Sequence, residues 1–291
     1  MARRVAGRLL LLCAVATFVA AGSYYLTVGT GVGQLMGELI LGGRPASVEA
    51  VLGAEMVLAS LSRLAIAIGT VLITAIALLQ KRFELAMTAG ATILLANLTT
   101  QVLKHLVLDR SDLLGGLFYV LPNSFPSGHA TAAASIVVGL ILVLPPILRS
   151  PIVVLGAVAV ALIGASTLAA GWHRMADAVG GVFVATAWGS GLAALLAWRR
   201  GVEPVGSRSA EFARLASRVP VVLGGIALLL GSAVYVLALD NPLGVLFHLA
   251  EHGGSEFLFL VGLLITIGMS LVALGAFGLA TRDVRLGPRS P

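Results

Sequence analysis

Charged residues are scarce in this chain of 291 residues. Only 11% of its residues are Asp, Glu, Lys or Arg, against about 25% in an ordinary globular domain, whereas 58% are hydrophobic. Such a composition excludes an ordinary soluble globular protein. We therefore predict that lipid surrounds most of the chain.

Cysteine is nearly absent as well. Cys13 is the only one, so no disulfide can form within the chain, and the leucines before it are not typical of a lipid-attachment site. We interpret Cys13 as a small buried hydrophobic residue. It lies in an apolar run that follows Arg3 and Arg4, and this run is either a retained membrane-spanning helix, which we favour, or a cleaved signal peptide.

Apolar runs of about 20 residues, the length that a helix needs to cross a bilayer, recur along the chain. In hydrocarbon each run must be helical, because a helix satisfies its own backbone hydrogen bonds. The predicted spans are 8–28, 62–80, 84–108, 129–148, 152–171, 177–198, 221–239 and 257–280. The sequence thus predicts an all-α, polytopic membrane bundle with eight transmembrane helices.

The distribution of basic residues predicts the orientation of this bundle. The net charge is +6. With a cytoplasmic N-terminus, most of the basic residues fall on the cytoplasmic side, as expected for membrane proteins. The exceptions are Arg44, Arg63, Lys104, Arg110 and Arg174. We expect a multi-pass protein of the plasma membrane with both termini in the cytoplasm, in contact with the lipid bilayer and without a nucleic-acid partner.

Composition also divides the chain into parts. Residues 201–219 are basic and contain Pro204, which predicts a cytoplasmic linker. This linker separates a six-helix core, 1–200, from a C-terminal transmembrane helix pair, 220–280, and a cytoplasmic tail, 281–291.

Polar residues gather at the outer ends of the predicted spans, where ionisable groups are costly and therefore indicate function. They are Lys104, Arg110, Ser127, Gly128, His129, His173, Arg174 and Asp177. Cations, a hydroxyl group, two histidines and a carboxylate are sufficient to bind and cleave a phosphate ester without a metal ion. We therefore expect an extracytoplasmic phosphate site that needs no cofactor.

Each of these residue types has an expected role. Lys104 and Arg110 are suited to phosphate oxygens. Ser127 and Gly128 precede a predicted helix, whose first backbone N–H groups would add further donors. The catalytic part of the set is the two histidines with Asp177.

His173 and Asp177 are four residues apart, a spacing that places them on one face if the segment is helical. The carboxylate can hold the Nδ1 proton of the ring and leave Nε2 free to attack phosphorus. His129 can then protonate the departing oxygen. This division of labour predicts His173 as the nucleophile and His129 as the acid.

These residues lie in three motifs, "KHLVLDRS" at 104–111, "PSGH" at 126–129 and "STLAAGWHRMAD" at 166–177. Their order and spacing resemble the type 2 phosphatidic acid phosphatase superfamily, the lipid phosphate phosphatases. The resemblance covers about residues 1–200. It implies a six-helix membrane core and a metal-independent phosphohistidine mechanism, with His129 acting first as acid and then as base.

Two of the three motifs depart from the family pattern. The first motif has five residues instead of six between Lys104 and Arg110, and Ser111 replaces a proline. Thr167 stands where the third motif has a phosphate-binding arginine. Losing one charge-assisted contact costs about 1.5–3 kcal/mol, and we expect Arg174 to replace part of it.

The expected function is hydrolysis of a lipid phosphate or pyrophosphate of the polyprenyl, phosphatidyl or prenyl-phosphosugar type. A phosphotransferase of the same superfamily and a non-catalytic lipid-binding or scaffold protein are the alternatives. "HLAEH", at 248–252, matches a zinc-protease pattern, but we interpret it as a polar turn between two spans. The sequence does not assign an oligomeric state.

Overall fold

The computed structural model describes residues 1–45, 47–61, 63–116, 123–242, 244–245, 248 and 254–287, apart from the side chain of Arg63. Most of these residues are helical. The helices are α1 (Ala2–Thr27), α2 (Gly31–Gly42), α3 (Val48–Ala59), α4 (Arg63–Leu79), α5 (Phe83–Val102), α6 (Gly128–Val143), α7 (Pro146–Ala169), α8 (Met175–Arg200), α9 (Ser207–Asp240) and α10 (Ser255–Thr281). A π-helical turn, Leu103–Val107, extends α5, and two short strands are β1 (Val202–Pro204) and β2 (Val284–Leu286).

Each predicted span contains a helix. Among the described residues, six helices are long and apolar enough to cross a membrane: α1, α5 with its π turn, α7, α8, α9 and α10. Helix α4 has 17 residues and α6 has 16, short of the roughly 20 that a full span needs. Helices α3 and α4 would add a further, bent span if they are taken together. The fold is that of a polytopic, multi-pass membrane protein, and the number eight stays a prediction.

Helix α8 lies at the centre of the bundle, where it packs on α1, α5 and α6. Its glycines allow the close approach that small residues give to membrane helices. A Cβ atom at Gly181 would lie 2.5 Å from the carbonyl oxygen of Ser127, and one at Gly180 would lie 2.4 Å from the ring of Phe125. The start of α8 is thereby held against the loop that precedes α6.

Most of the segment 201–219, which we predicted to be a linker, is helical. Helix α9 begins at Ser207 and continues without interruption through Pro220. Pro204 and the turn after it interrupt the helices for only a few residues, and the basic residues beyond them extend α9 past its apolar part. The basic residues of this segment therefore lie in a helix, at the end that precedes its apolar part, and not in an irregular connection.

The predicted tail also contains a strand. β2, within 281–291, pairs antiparallel with β1, and Val202 lies opposite Leu286. The buried guanidinium group of Arg149 donates from Nη1 to the carbonyl oxygens of Thr281 and Val284, at 2.9 and 2.8 Å. The end of α10 is thus fastened to the start of α7, and α10 also packs along α9 and α7.

Candidate active site

The three sequence motifs meet at one end of the bundle. The backbone N–H of Ser127 donates to the carbonyl oxygen of Asp177 at 2.8 Å, which joins the second motif to the third. Asn123 donates from Nδ2 to the carbonyl oxygen of Leu108 at 3.0 Å, which joins the same loop to the first motif. Residues far apart in the sequence therefore form one site at the ends of α5, α6 and α8.

His173 and Asp177 are in contact, as predicted, although His173 lies before the start of α8 and not within a helix. Nδ1 of His173 lies 3.3 Å from Oδ2 of Asp177, and both side chains are buried. The same carboxylate oxygen accepts the backbone N–H of Arg174 at 3.0 Å and the hydroxyl group of Ser124. Because these donors fix the carboxylate, it orients the imidazole with Nδ1 towards Asp177 and Nε2 away from it.

The end of α7 fixes the backbone that presents His173. The N–H groups of Trp172 and His173 both donate to the carbonyl oxygen of Thr167, at 3.0 and 3.1 Å. Gly171 has φ 72°, the left-handed conformation that favours glycine after a helix. The Thr167 side chain is fully buried and donates to the carbonyl oxygen of Gly164 at 2.7 Å. Its hydroxyl group is therefore occupied within α7 and does not replace the family's arginine.

His129 lies in the first turn of α6, beside the third motif. Its half-buried ring faces that of Trp172, with the two centroids 5.6 Å apart. His173 and Lys104 are near enough to interact electrostatically with it. The second motif thus brings His129 into the neighbourhood of His173.

The start of α6 supplies hydrogen-bond donors. The side-chain oxygen of Ser127 accepts the N–H of Ala130 at 3.4 Å, as an N-cap does. In the part of the chain that the structure describes, the backbone N–H groups of Gly128 and His129 have no acceptor. Free N–H groups at a helix N-terminus bind anions.

Lys104 lies in the π-helical turn that ends α5, an irregularity that is frequent at functional sites. Its side chain is half-buried and is attracted by the charge of Asp177. Its ammonium group forms no hydrogen bond or ion pair with any described residue. This cation is therefore available to an anionic ligand.

Arg110 and Arg174 share one carboxylate. Nη2 of Arg110 lies 3.0 Å from Oε1 of Glu38, and Nε of Arg174 donates to the same oxygen at 2.8 Å. No side chain of the three is more than 10% exposed. Burial lowers the pKa of Arg110, as does the charge of Arg174, while Glu38 and Asp177 raise it. Two guanidinium groups on one carboxylate leave a net positive charge and further N–H groups for a second anion.

Sequence analysis missed Glu38, Ser124 and Gln34. Gln34 is fully buried and donates from Nε2 to the carbonyl oxygen of Ser111 at 2.8 Å, so it holds the segment that carries Arg110. The only available signal was the presence of Gln34 and Glu38 in a short apolar helix, where polar groups are costly.

The zinc-protease pattern falls mostly outside the described residues, since 249–252 are not among them. Within the described residues, no group of three or more His, Cys, Asp or Glu side chains is placed to hold a metal ion. The interpretation of "HLAEH" as a polar turn stays a prediction.

Comparison with protein families agrees with the motifs. Residues 85–200 match the family model of the PAP2 superfamily, and this range contains all three motifs. The match confirms the resemblance to the type 2 phosphatidic acid phosphatase superfamily and indicates a protein of the phosphatase or phosphotransferase type. Comparisons with curated proteins and with solved structures give no match.

Proposed function

We propose that the protein is a metal-independent phosphatase that hydrolyses a lipid phosphate or pyrophosphate through a phosphohistidine intermediate. The proposal rests on the buried pair of His173 and Asp177 beside His129. A scaffold or lipid-binding protein has no need of an imidazole that a buried carboxylate orients for attack.

Phosphate binding precedes the reaction. We propose that the ammonium group of Lys104, the hydroxyl group of Ser127 and the backbone N–H groups of Gly128 and His129 bind the phosphate beside His173. Arg110 and Arg174 add positive charge to the same site. Together these donors neutralise the phosphate and hold phosphorus in line with Nε2 of His173.

The first chemical step forms a bond between Nε2 of His173 and phosphorus and breaks the bond between phosphorus and the lipid oxygen. Protonated His129 gives its proton to that oxygen, which leaves as an alcohol, or as a monophosphate if the substrate is a diphosphate. Asp177 stabilises the positive charge of the His173 ring. The phosphoryl group is then held on His173.

The second step reverses these roles. His129, now neutral, takes a proton from a water molecule whose oxygen attacks phosphorus. The bond between Nε2 and phosphorus breaks, inorganic phosphate leaves, and His173 is restored. If an alcohol replaces water, the same step is a phosphotransfer.

The location of the site suits a substrate that stays in a membrane. Asp177 lies at one end of α8 and Arg199 and Arg200 at the other, and 26 residues of helix span roughly 39 Å. If the basic end is cytoplasmic, as we propose for a plasma-membrane protein, the site faces the extracytoplasmic side at the depth of lipid headgroups.

The test is phosphate release by the purified protein in detergent, with excess chelator, from lipid monophosphates and diphosphates. His173→Ala should abolish release, whereas the matched control His105→Ala, at an exposed position on the π turn, should keep it. His129→Ala should slow release strongly, because the first step loses its acid and the second step loses its base.

The outcomes separate the alternatives. Release that depends on an added alcohol would identify a phosphotransferase. A folded protein that neither releases phosphate nor forms phosphohistidine with any of these lipids would contradict the proposal and favour a binding protein.

A further inference from the structure

An apolar groove of about 540 Å³ lies between α1, α5 and α8. None of its described lining residues is charged. The indole N–H of Trp188 donates to the hydroxyl group of Thr99 at 2.9 Å, so two of the polar groups in its wall are already paired. A groove of this kind favours a hydrocarbon ligand, because it offers few hydrogen bonds to a polar one.

One end of this groove is shared with the candidate active site. Two lining residues belong to or adjoin the π turn that carries Lys104: Leu103 is its first residue and Leu108 follows its last. Phe125, another lining residue, immediately precedes the "PSGH" motif. A ligand in the groove therefore has one of its ends next to the candidate phosphate-binding groups.

The length of the groove corresponds to one leaflet of a bilayer. On α1 its lining extends from Tyr24, near the active site, to Cys13, eleven residues away. At about 1.5 Å per residue this distance is roughly 16 Å, about half of the ~30 Å hydrocarbon thickness. The groove thus runs from headgroup depth to about the middle of the membrane.

The lining and position of the groove favour a hydrocarbon chain as its occupant. The groove is elongated and apolar, and it reaches the candidate phosphate site through Leu103, Leu108 and Phe125. A hydrocarbon tail attached to a phosphate matches this arrangement, because the tail would fill the apolar part while the phosphate stays among polar groups.

We infer that this groove holds the hydrocarbon tail of the lipid phosphate substrate. The inference rests on the proposed function and adds the means by which a lipid is recognised. The tail leaves one hydrocarbon environment for another, so the gain is chiefly in orientation: a seated tail delivers its phosphate to His173 already aligned for attack. A water-soluble phosphate ester would lack this alignment.

The only cysteine of the chain provides the test, because Cys13 lines the deep end of the groove and packs against Gly191. The full-length protein in membranes is treated with a long-chain alkyl methanethiosulfonate, which leaves an alkyl group on the thiol. We expect at least a tenfold loss of phosphate release from a long-chain lipid phosphate and little change with a short, soluble phosphate monoester.

Two variants control for unspecific effects. In Cys13→Ala the rate after treatment divided by the rate before it should stay near one. In Cys13→Ala with Leu11→Cys, the thiol lies on α1 at a side chain that is 66% exposed, and its alkylation should not select between the two substrates. Equal loss with both substrates in the wild-type protein, or no loss with either, would overturn the inference.

A binding measurement separates this inference from the proposed function. A non-hydrolysable long-chain lipid phosphonate should slow the labelling of Cys13 at least tenfold, whereas inorganic phosphate should not. This result can be obtained even if the protein releases no phosphate at all. Labelling at the same rate with and without the phosphonate, or efficient crosslinking of Cys13 between two copies of the chain, would count against a lipid tail in the groove.

Discussion

Glu38 accepts a hydrogen bond from Nε of Arg174 at 2.8 Å, although 136 residues separate the two in the chain. Its Oε1 atom also contacts Arg110, so one acidic side chain sets the positions of two cations. Without it, two buried guanidinium groups would repel each other at the edge of the phosphate site. We therefore regard Glu38 as a positioning residue for phosphate binding.

Glu38→Gln should weaken substrate binding. Loss of a charge-assisted hydrogen bond costs about 1.5–3 kcal/mol, which corresponds to roughly a 10- to 150-fold change. We expect this loss mainly in KM, because Glu38 does not reach the reacting atoms, and KM and kcat should be measured separately. Glu49→Gln, on the exposed side of α3, is the matched control. A lower KM in Glu38→Gln would mean instead that Glu38 competes with phosphate for the arginines.

Arg174→Ala tests whether the Arg174 side chain takes over the role of the arginine that the family has at the position of Thr167. The substitution keeps the backbone N–H that donates to Asp177, so the carboxylate that orients His173 stays in place. Release of phosphate should fall by about tenfold or more, the cost of one charge-assisted contact. Unchanged release would show that Arg174 serves only the ion pair with Glu38.

Gly181→Ala should separate α8 from the loop before α6. The new methyl group would lie 2.5 Å from the carbonyl oxygen of Ser127 and 2.9 Å from the hydroxyl oxygen of Thr131. Overpacking of this kind costs about 1–3 kcal/mol. We expect a lower midpoint of thermal unfolding in detergent together with lower activity. Gly225→Ala, which meets nothing within 4 Å, should be neutral or stabilising.

Asp283 should make stability depend on pH. Burial raises the pKa of this carboxyl, but the hydrogen bond and charge of Arg8 lower it more, so the net shift is downward. A lowered pKa in the folded state contributes stability above the unfolded value, about 3.9, and that contribution is lost as the pH falls through the folded value. The wild-type protein should therefore be more stable than Asp283→Asn at neutral pH, and the difference should shrink below about pH 4. Thermal unfolding of both proteins between neutral and acid pH measures it, and a constant difference would exclude this ion pair as the cause.

The contact between His173 and Asp177 could be expected from sequence because the two residues are close together in the chain. It does not arise from one helical turn, because His173 precedes α8 and Asp177 lies in the first turn of that helix. Apolar runs likewise predicted the positions of the helices, since hydrocarbon permits little else. Features that depend on neighbouring residues or on one span can be read from a single chain.

Features that depend on distant partners could not be predicted. Glu38 meets Arg174 only because α2 packs beside α8, and β1 forms only because β2 lies next to it. The helical structure of most of the segment 201–219 was not predicted, because Pro204 and the glycines near it resemble a longer connection in sequence. The length of α6 is set by Pro145 and Pro146 after its last turn, within an apolar run that continues further.

The fastening of Arg149 to Thr281 and Val284 bears on how this protein can be shortened. The three-part signature ends at Asp177, which suggests that a chain ending near Arg200 would contain the whole enzyme. Such a truncation would leave the Arg149 guanidinium group without these two carbonyl acceptors and would strip α7 of its cover along α10. Helix α7 would then lose both its polar tether and its packing partner. The residues of the candidate site all precede Arg200, but we expect the smallest stable form of the chain to include the C-terminal strand.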